Sequence, residues 1–177
     1  MNEDYWKVID RESVSLGRFK INFDDIKLPD GEKSVYSFVE IKEGVCILPI
    51  IEEDGAKEIV MVEQYRHPIK KWEFELPAGG VSEDENPTKT AERELEEETG
   101  YIPGKIRKLG SFYPSAGSTN EKIHIYLAEE LEKGEKDLDV GEEMKVKKVA
   151  LKELKDMISR GEFKHGAGIA ALAKYCW

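Results

Sequence analysis

The sequence is poor in the features that mark secreted, membrane-spanning or zinc-bearing proteins. Cysteine occurs twice in 177 residues, as Cys46 and Cys176. The pair is widely separated and lacks metal-ligand company, so a disulfide scaffold and a zinc site are both excluded, and two reduced, buried thiols are expected. Histidine is as sparse: His67, His124 and His165 are scattered and suggest no zinc ligand set. No apolar window approaches the roughly 20 residues needed to cross a bilayer. The start, Met1-Asn2-Glu3-Asp4, is acidic and has no apolar run, so no signal peptide is expected. Positive charge is in deficit, with 27 Lys and Arg against 37 Asp and Glu and a net charge of −10. Nucleic acid and acidic membrane surfaces reward basic patches, and neither is an expected partner. These absences leave a cytoplasmic protein whose length suits one domain with a substantial core.

What is present is strongly patterned. Val14, Leu16, Phe19, Ile21 and Phe23 alternate with polar residues, and Val35, Tyr36, Phe38, Val39 and Ile41 resume strand character after the Leu28-Pro29-Asp30-Gly31 turn. The first forty residues therefore predict a small antiparallel sheet, able to pack on its own domain or on a partner subunit. Residues 45–51 and 59–65 are almost continuously apolar and β-branched, as in strands buried on both faces. Residues 72–76, 106–112, 122–128 and 144–151 are further strand candidates, and residues 133–143 form a polar loop. Leu151, Leu154, Met157 and Ile158 give one helical stripe, and Ile169, Leu172 and Ala173 another.

Residues 79–101 organise the rest. Asn86 is a good N-cap, Pro87 suits the first helical position, and Gly100 can take the left-handed conformation that ends a helix. Thr88, Ala91 and Leu95 form a narrow apolar stripe. At about 100° per residue Glu94 and Glu98 share a face with Glu97 beside them. Like charges so placed repel. Either the face is simply solvated, with Arg93 pairing to Glu97, or a hard divalent cation relieves it.

The whole pattern favours the cation. The stretch reads G-x5-E-x7-R-E-U-x-E-E-x-G-U, with Gly79, Glu85, Arg93, Glu94, Leu95, Glu97, Glu98, Gly100 and Tyr101 filling every specified place. It resembles the Nudix box. Glu63-Gln64-Tyr65-Arg66-His67-Pro68, Glu75-Leu76-Pro77-Ala78-Gly79 and Tyr113-Pro114-Ser115-Ala116-Gly117 are similar to the ADP-ribose pyrophosphatase branch, although many relatives have a second proline where Ala116 stands. The resemblance implies an α/β fold, a Nudix-type α/β/α sandwich with a mixed sheet, preceded by the small antiparallel sheet. Residues 1–42 would be a dimerisation and base-binding region and residues 43–177 the Nudix hydrolase domain.

The implied activity is metal-dependent hydrolysis of ADP-ribose, or a related nucleoside diphosphate sugar, to AMP and ribose 5-phosphate. The alternatives are another Nudix pyrophosphatase and a non-catalytic nucleotide-binding regulator. Magnesium, replaceable by manganese, would be held by Glu94, Glu97, Glu98 and the carbonyl of Ala78, which a glycine turn would free from strand pairing. Position in the family implies Glu142 as general base, with Glu143 as rival. Arg66 is either a phosphate clamp or the ion-pair partner of a glutamate such as Glu75. Phe19 and Tyr36 match aromatics that stack the base in similar enzymes, a core role for Phe19 being the other reading. A homodimer is also implied.

Overall fold

A computed structural model describes residues 5–53, 55–134 and 144–176, with the side chain of Glu53 excepted. The chain divides into two compact units, one of residues 1–42 with 115–121 and the other of residues 43–114 with 122–177.

In the first unit, β1 (Lys7–Leu16), β2 (Phe19–Lys27) and β3 (Lys33–Glu40) form an antiparallel sheet in the order β1-β2-β3. Its buried face mixes apolar Ile26 with polar side chains. Asn22 and Asp24 on β2 are buried, Asn22 in a chain of hydrogen bonds from Ser13 to Glu40, and Asp24 in a bidentate pair with Arg11 at 2.5 and 2.7 Å. The Arg11 guanidinium lowers the Asp24 pKa below the usual carboxylate range. Apolar Val14, Phe23 and Val35, on the opposite face by their register, are exposed. A parallel bridge from Val39 to Thr119 attaches the 115–121 segment to β3.

The second unit is built on a mixed sheet. β4 (Gly44–Glu53) and β5 (Ala56–Arg66) form a hairpin, β6 (Lys71–Glu75) pairs with β5, and the three-residue β7 (Ala78–Gly80) pairs with β4. α1 (Pro87–Thr99) leads into β8 (Tyr101–Phe112), β9 (Ile123–Lys133), β10 (Met144–Ala150), α2 (Leu151–Ser159) and α3 (Gly166–Cys176). The strand order is β10-β5-β4-β9-β8, with β4 and β9 parallel and the other neighbours antiparallel.

Strand alternation sorts the core into two layers. Val45 and Ile47 of β4 pack with Ala91 and Leu95 of α1 and with Tyr126 and Ala128 of β9. The intervening Cys46, Leu48 and Ile50 pack with Leu154, Met157, Ala171 and Leu172 of α2 and α3. Both faces of the strand are thus covered by helices, which is why it reads as a continuous apolar run.

Three expectations need correction. Cys46 is buried, but Cys176 is exposed at the end of α3. The inward face of α3 is Ala167, Gly168, Ala171 and Leu172, while Ile169 is 38% exposed. Ala78 to Gly80 is a short strand in register with Cys46 to Gly44, where the sequence suggested a turn.

Candidate active site

α1 forms as its termini dictate. The Asn86 side chain accepts from the backbone N–H groups of Thr88 and Lys89 at 2.9 and 3.1 Å, and Gly100 closes the helix at φ 72° with its N–H on Glu96 O. Leu95 and Ala91 seat the helix on the sheet, so its acidic residues are carried toward the strand entering it from β7.

Two carboxylates meet that strand at consecutive residues. Glu98, 6% exposed, accepts from the backbone N–H of Ala78 at 3.2 Å. Glu94 lies directly on Gly79, where a Cβ would fall inside its carboxylate. Any side chain at 79 would therefore require the Glu94 carboxylate to move from this place. Burial pushes the thiol pKa of Cys46, in register with Ala78, well up, and the charges of Glu98 and Glu75 add to that.

Arg93 sits among the remaining acids. It donates to Glu85 at 3.2 and 3.3 Å and to Glu97 at 2.6 Å, and it lies 2.9 Å from Glu94. Thr90 also donates to Glu85, at 2.9 Å. The hydrogen bonds from Arg93 lower the Glu85 pKa, and the acids in turn raise that of the guanidinium. One arginine thus spans three carboxylates.

Among the described residues no three Asp, Glu, His or Cys side chains are drawn together into a ready ion site. The donor chemistry nevertheless fits a hard divalent cation. Glu94 and Glu98 supply carboxylate oxygens against one short strand, and Glu97 is one helical step away. A cation entering there would compete with Arg93 for Glu94 and Glu97.

Arg66, at the end of β5, forms a bidentate pair with buried Glu75 of β6, at 2.7 and 2.5 Å. The structural reading of Arg66 is present, and it leaves the clamp reading open. Phe19 lies in the first unit, exposed beneath the Arg18 guanidinium, and borders a cavity of about 850 Å³ with Lys20, Glu40, Lys42 and Glu121. Tyr36 packs against Trp6 at 5.4 Å and donates to Gly117 O at 2.8 Å. Glu142 and its rival Glu143 lie outside the described residues, as does most of the expected polar loop.

A model of the NUDIX domain matches residues 41–171. The chain belongs to the Nudix family. It is a Nudix hydrolase. An ADP-ribose pyrophosphatase of Bacillus subtilis (strain 168) is 35% identical over 88% of this chain and 84% of the relative. A methanol dehydrogenase activator of Bacillus methanolicus is 43% identical over 73% of this chain and 69% of its own. A crystal structure of an ADP compounds hydrolase matches with a TM-score of 0.87 at 20% identity, over 99% of this chain and 94% of that one, which shows the shared Nudix fold.

Two groups beside the site were not legible in the sequence. His165 accepts at Nδ1 from the Leu76 N–H between β6 and β7, and His124 on β9 pairs through Nε2 with Glu43 at 2.5 Å. A lone histidine carries no spacing signal, so neither contact could be read in advance.

Proposed function

We propose that this Nudix hydrolase cleaves the diphosphate of ADP-ribose, or a closely related nucleoside diphosphate sugar, using magnesium or manganese. The observation that carries the reading is the placement of Glu94 and Glu98 on the Ala78–Gly79 backbone with Glu97 alongside. These three carboxylates and the Ala78 carbonyl are the ligands we assign. When bound, the cation neutralises the diphosphate oxygens and lowers the pKa of water toward neutrality.

The chain's own residues supply the rest. Arg93 offsets the mutual repulsion of Glu85, Glu94 and Glu97 by giving each a counter-charge. Glu142 is our general base, with Glu143 as rival, taking the proton as water attacks phosphorus and the bridging P–O bond breaks. Arg66 is assigned to the phosphates, and its carboxylate partner Glu75 would hold the guanidinium plane fixed for that contact. Phe19 and Tyr36 are assigned to the base, and the cavity beside Phe19, lined by Arg18, Lys20 and Lys42, supports Phe19 more strongly. The products are AMP and ribose 5-phosphate. We also read the protein as cytoplasmic, in keeping with two free cysteines, and as a homodimer.

A second reading is a nucleotide-binding regulator. It is favoured by the relative described as an activator and by the arginine already occupying the acidic cluster. One experiment separates them. ADP-ribose, ADP-glucose, GDP-mannose and diadenosine polyphosphates are incubated with magnesium or manganese in oxygen-18 water, and the products are identified. Cleavage of ADP-ribose into AMP and ribose 5-phosphate, with label on one phosphate, is expected. Binding without cleavage establishes the regulator, and undiminished turnover in excess chelator removes the metal.

A further inference from the structure

The backbone from Leu76 to Ala78, where β6 gives way to β7, is fastened by β4, by α1 and by the segment that precedes α3. Pro77 O accepts from Ile47 N of β4 at 2.9 Å, and Ala78 N donates to Glu98 of α1 at 3.2 Å. Leu76 N, the only other N–H in this tripeptide because proline has none, donates to His165 Nδ1 at 3.1 Å, across 89 residues of sequence. Leu76 is 1% exposed. Without the imidazole its N–H would be a buried donor lacking that acceptor, which folded proteins rarely tolerate.

The same ring faces a second element of the site. A backbone N–H can only donate, so Nδ1 is the acceptor, and the neutral ring carries its proton on Nε2. Nε2 lies 3.9 Å from Glu75 Oε2, the oxygen that receives Arg66 Nη2 at 2.5 Å. Phe163 packs edge-on to the ring at 6.2 Å. Gly168 leaves room for both: a Cβ there would lie 2.6 Å from Phe163 and 3.1 Å from His165 Nδ1. His165 therefore holds the Leu76 N–H, two residues before Ala78, and faces the carboxylate that pairs with Arg66.

We propose that His165 is a positioning residue: through Leu76 N–H it sets the Ala78 backbone against Glu98 for the cation, and from Nε2 it steadies the Glu75–Arg66 pair. The proposal rests on the metal-dependent hydrolase reading given above. Groups that orient metal ligands in this way change metal affinity roughly 10- to 100-fold when removed.

The test measures Mn2+ binding to the full chain by electron paramagnetic resonance, together with kcat and KM for ADP-ribose. His165→Leu, which has no acceptor, is expected to weaken Mn2+ binding by about tenfold and to raise KM, with thermal melting confirming the fold. His165→Asn places an amide oxygen where Nδ1 stood, and is expected to restore Mn2+ affinity to within about twofold of wild type while KM stays raised, because Asn has no counterpart of Nε2. A role in stability alone predicts instead that melting temperature shifts while Mn2+ affinity does not. Should His165→Leu fail to fold, Gly168→Ala, which displaces the ring but keeps its nitrogen, carries the same expectation for Mn2+. Wild-type Mn2+ affinity in a folded His165→Leu or Gly168→Ala, or no recovery in His165→Asn, overturns the proposal. A wild-type chain that binds no Mn2+ and cleaves nothing instead overturns the functional reading on which it rests.

Discussion

At the scale of single residues, burial decides what each acid of α1 can tolerate. Glu97 is 39% exposed and paired to Arg93, so Glu97→Gln removes charge at a half-open position and the fold should persist. Glu98 is nearly enclosed, yet at Ala78 it meets an N–H donor, which the Gln amide oxygen can still satisfy. Either substitution should lower turnover by about two or more orders of magnitude, with melting temperature changed little, measured on ADP-ribose beside a thermal scan. A folded Glu98→Gln with full turnover would remove this carboxylate from the ligand set. His165 adds a prediction in pH. Burial pulls its pKa below 6.5, with the Glu75 carboxylate partly opposing and Arg66 assisting. The fold thus prefers the neutral ring, so the stability it contributes is complete above pH 6.5 and is lost as pH falls through the lowered folded value. His165→Asn should flatten the decline in melting temperature between about pH 7 and pH 5. Parallel curves for the two proteins would show that His165 does not supply that acid limb.

At the scale of elements, legibility followed the range of the interaction. α1 was readable to its ends because Asn86, Pro87 and Gly100 act within one turn of the residues they cap. β4 and β5 were readable because helices cover both faces, leaving an apolar run. β7 was not: Ala-Gly-Gly has no strand pattern, and it exists only because β4 supplies partners from more than thirty residues away. β8 begins at Tyr101, five residues before its apolar alternation, with Pro103 and Gly104 imitating a turn inside it. Arg66–Glu75 was one of two readings because charge alone does not choose a partner; the β5–β6 register sets Arg66 opposite Lys71 and Glu75 opposite Val62, so the pair is made along the hairpin and not directly across it. The β7–α1 junction also makes its own prediction. Gly79→Ala puts a methyl group where the Glu94 carboxylate now lies, so Glu94 must swing away or β7 must separate from β4. The expected result is a need for at least about tenfold more magnesium at half-maximal rate, with α1 intact by circular dichroism. An unchanged magnesium requirement would mean that Glu94 does not work from this position.

At the scale of the whole molecule, the N-terminal sheet leaves several apolar side chains uncovered on its outer face. Its enclosed face carries Asn22 and Asp24 in hydrogen bonds, and its outer face presents Val14, Phe23 and Val35, the last 62% exposed. On that face Glu12 stands opposite Phe23 and Asp25 opposite Val35, with half-buried Ile21 and Val39 in the row of Val14, so the exposed apolar side chains are interleaved with carboxylates. β1 adds ten exposed residues on an edge with no strand beyond it among the described residues, which is an open template for pairing. A second copy of this chain is the partner we assign, since the open edge of β1 can pair with its own copy about a two-fold axis, beside Val14 and Phe23. Light scattering at micromolar concentration should therefore give twice the 20.2 kDa chain mass. Val14→Asp combined with Phe23→Asp places unpaired charges in that contact and should yield monomers that remain folded, because neither side chain contributes to the two core layers of the second unit. If the double variant stays dimeric, the interface lies elsewhere; if the wild-type chain is monomeric, the outer face is covered by something other than its own copy.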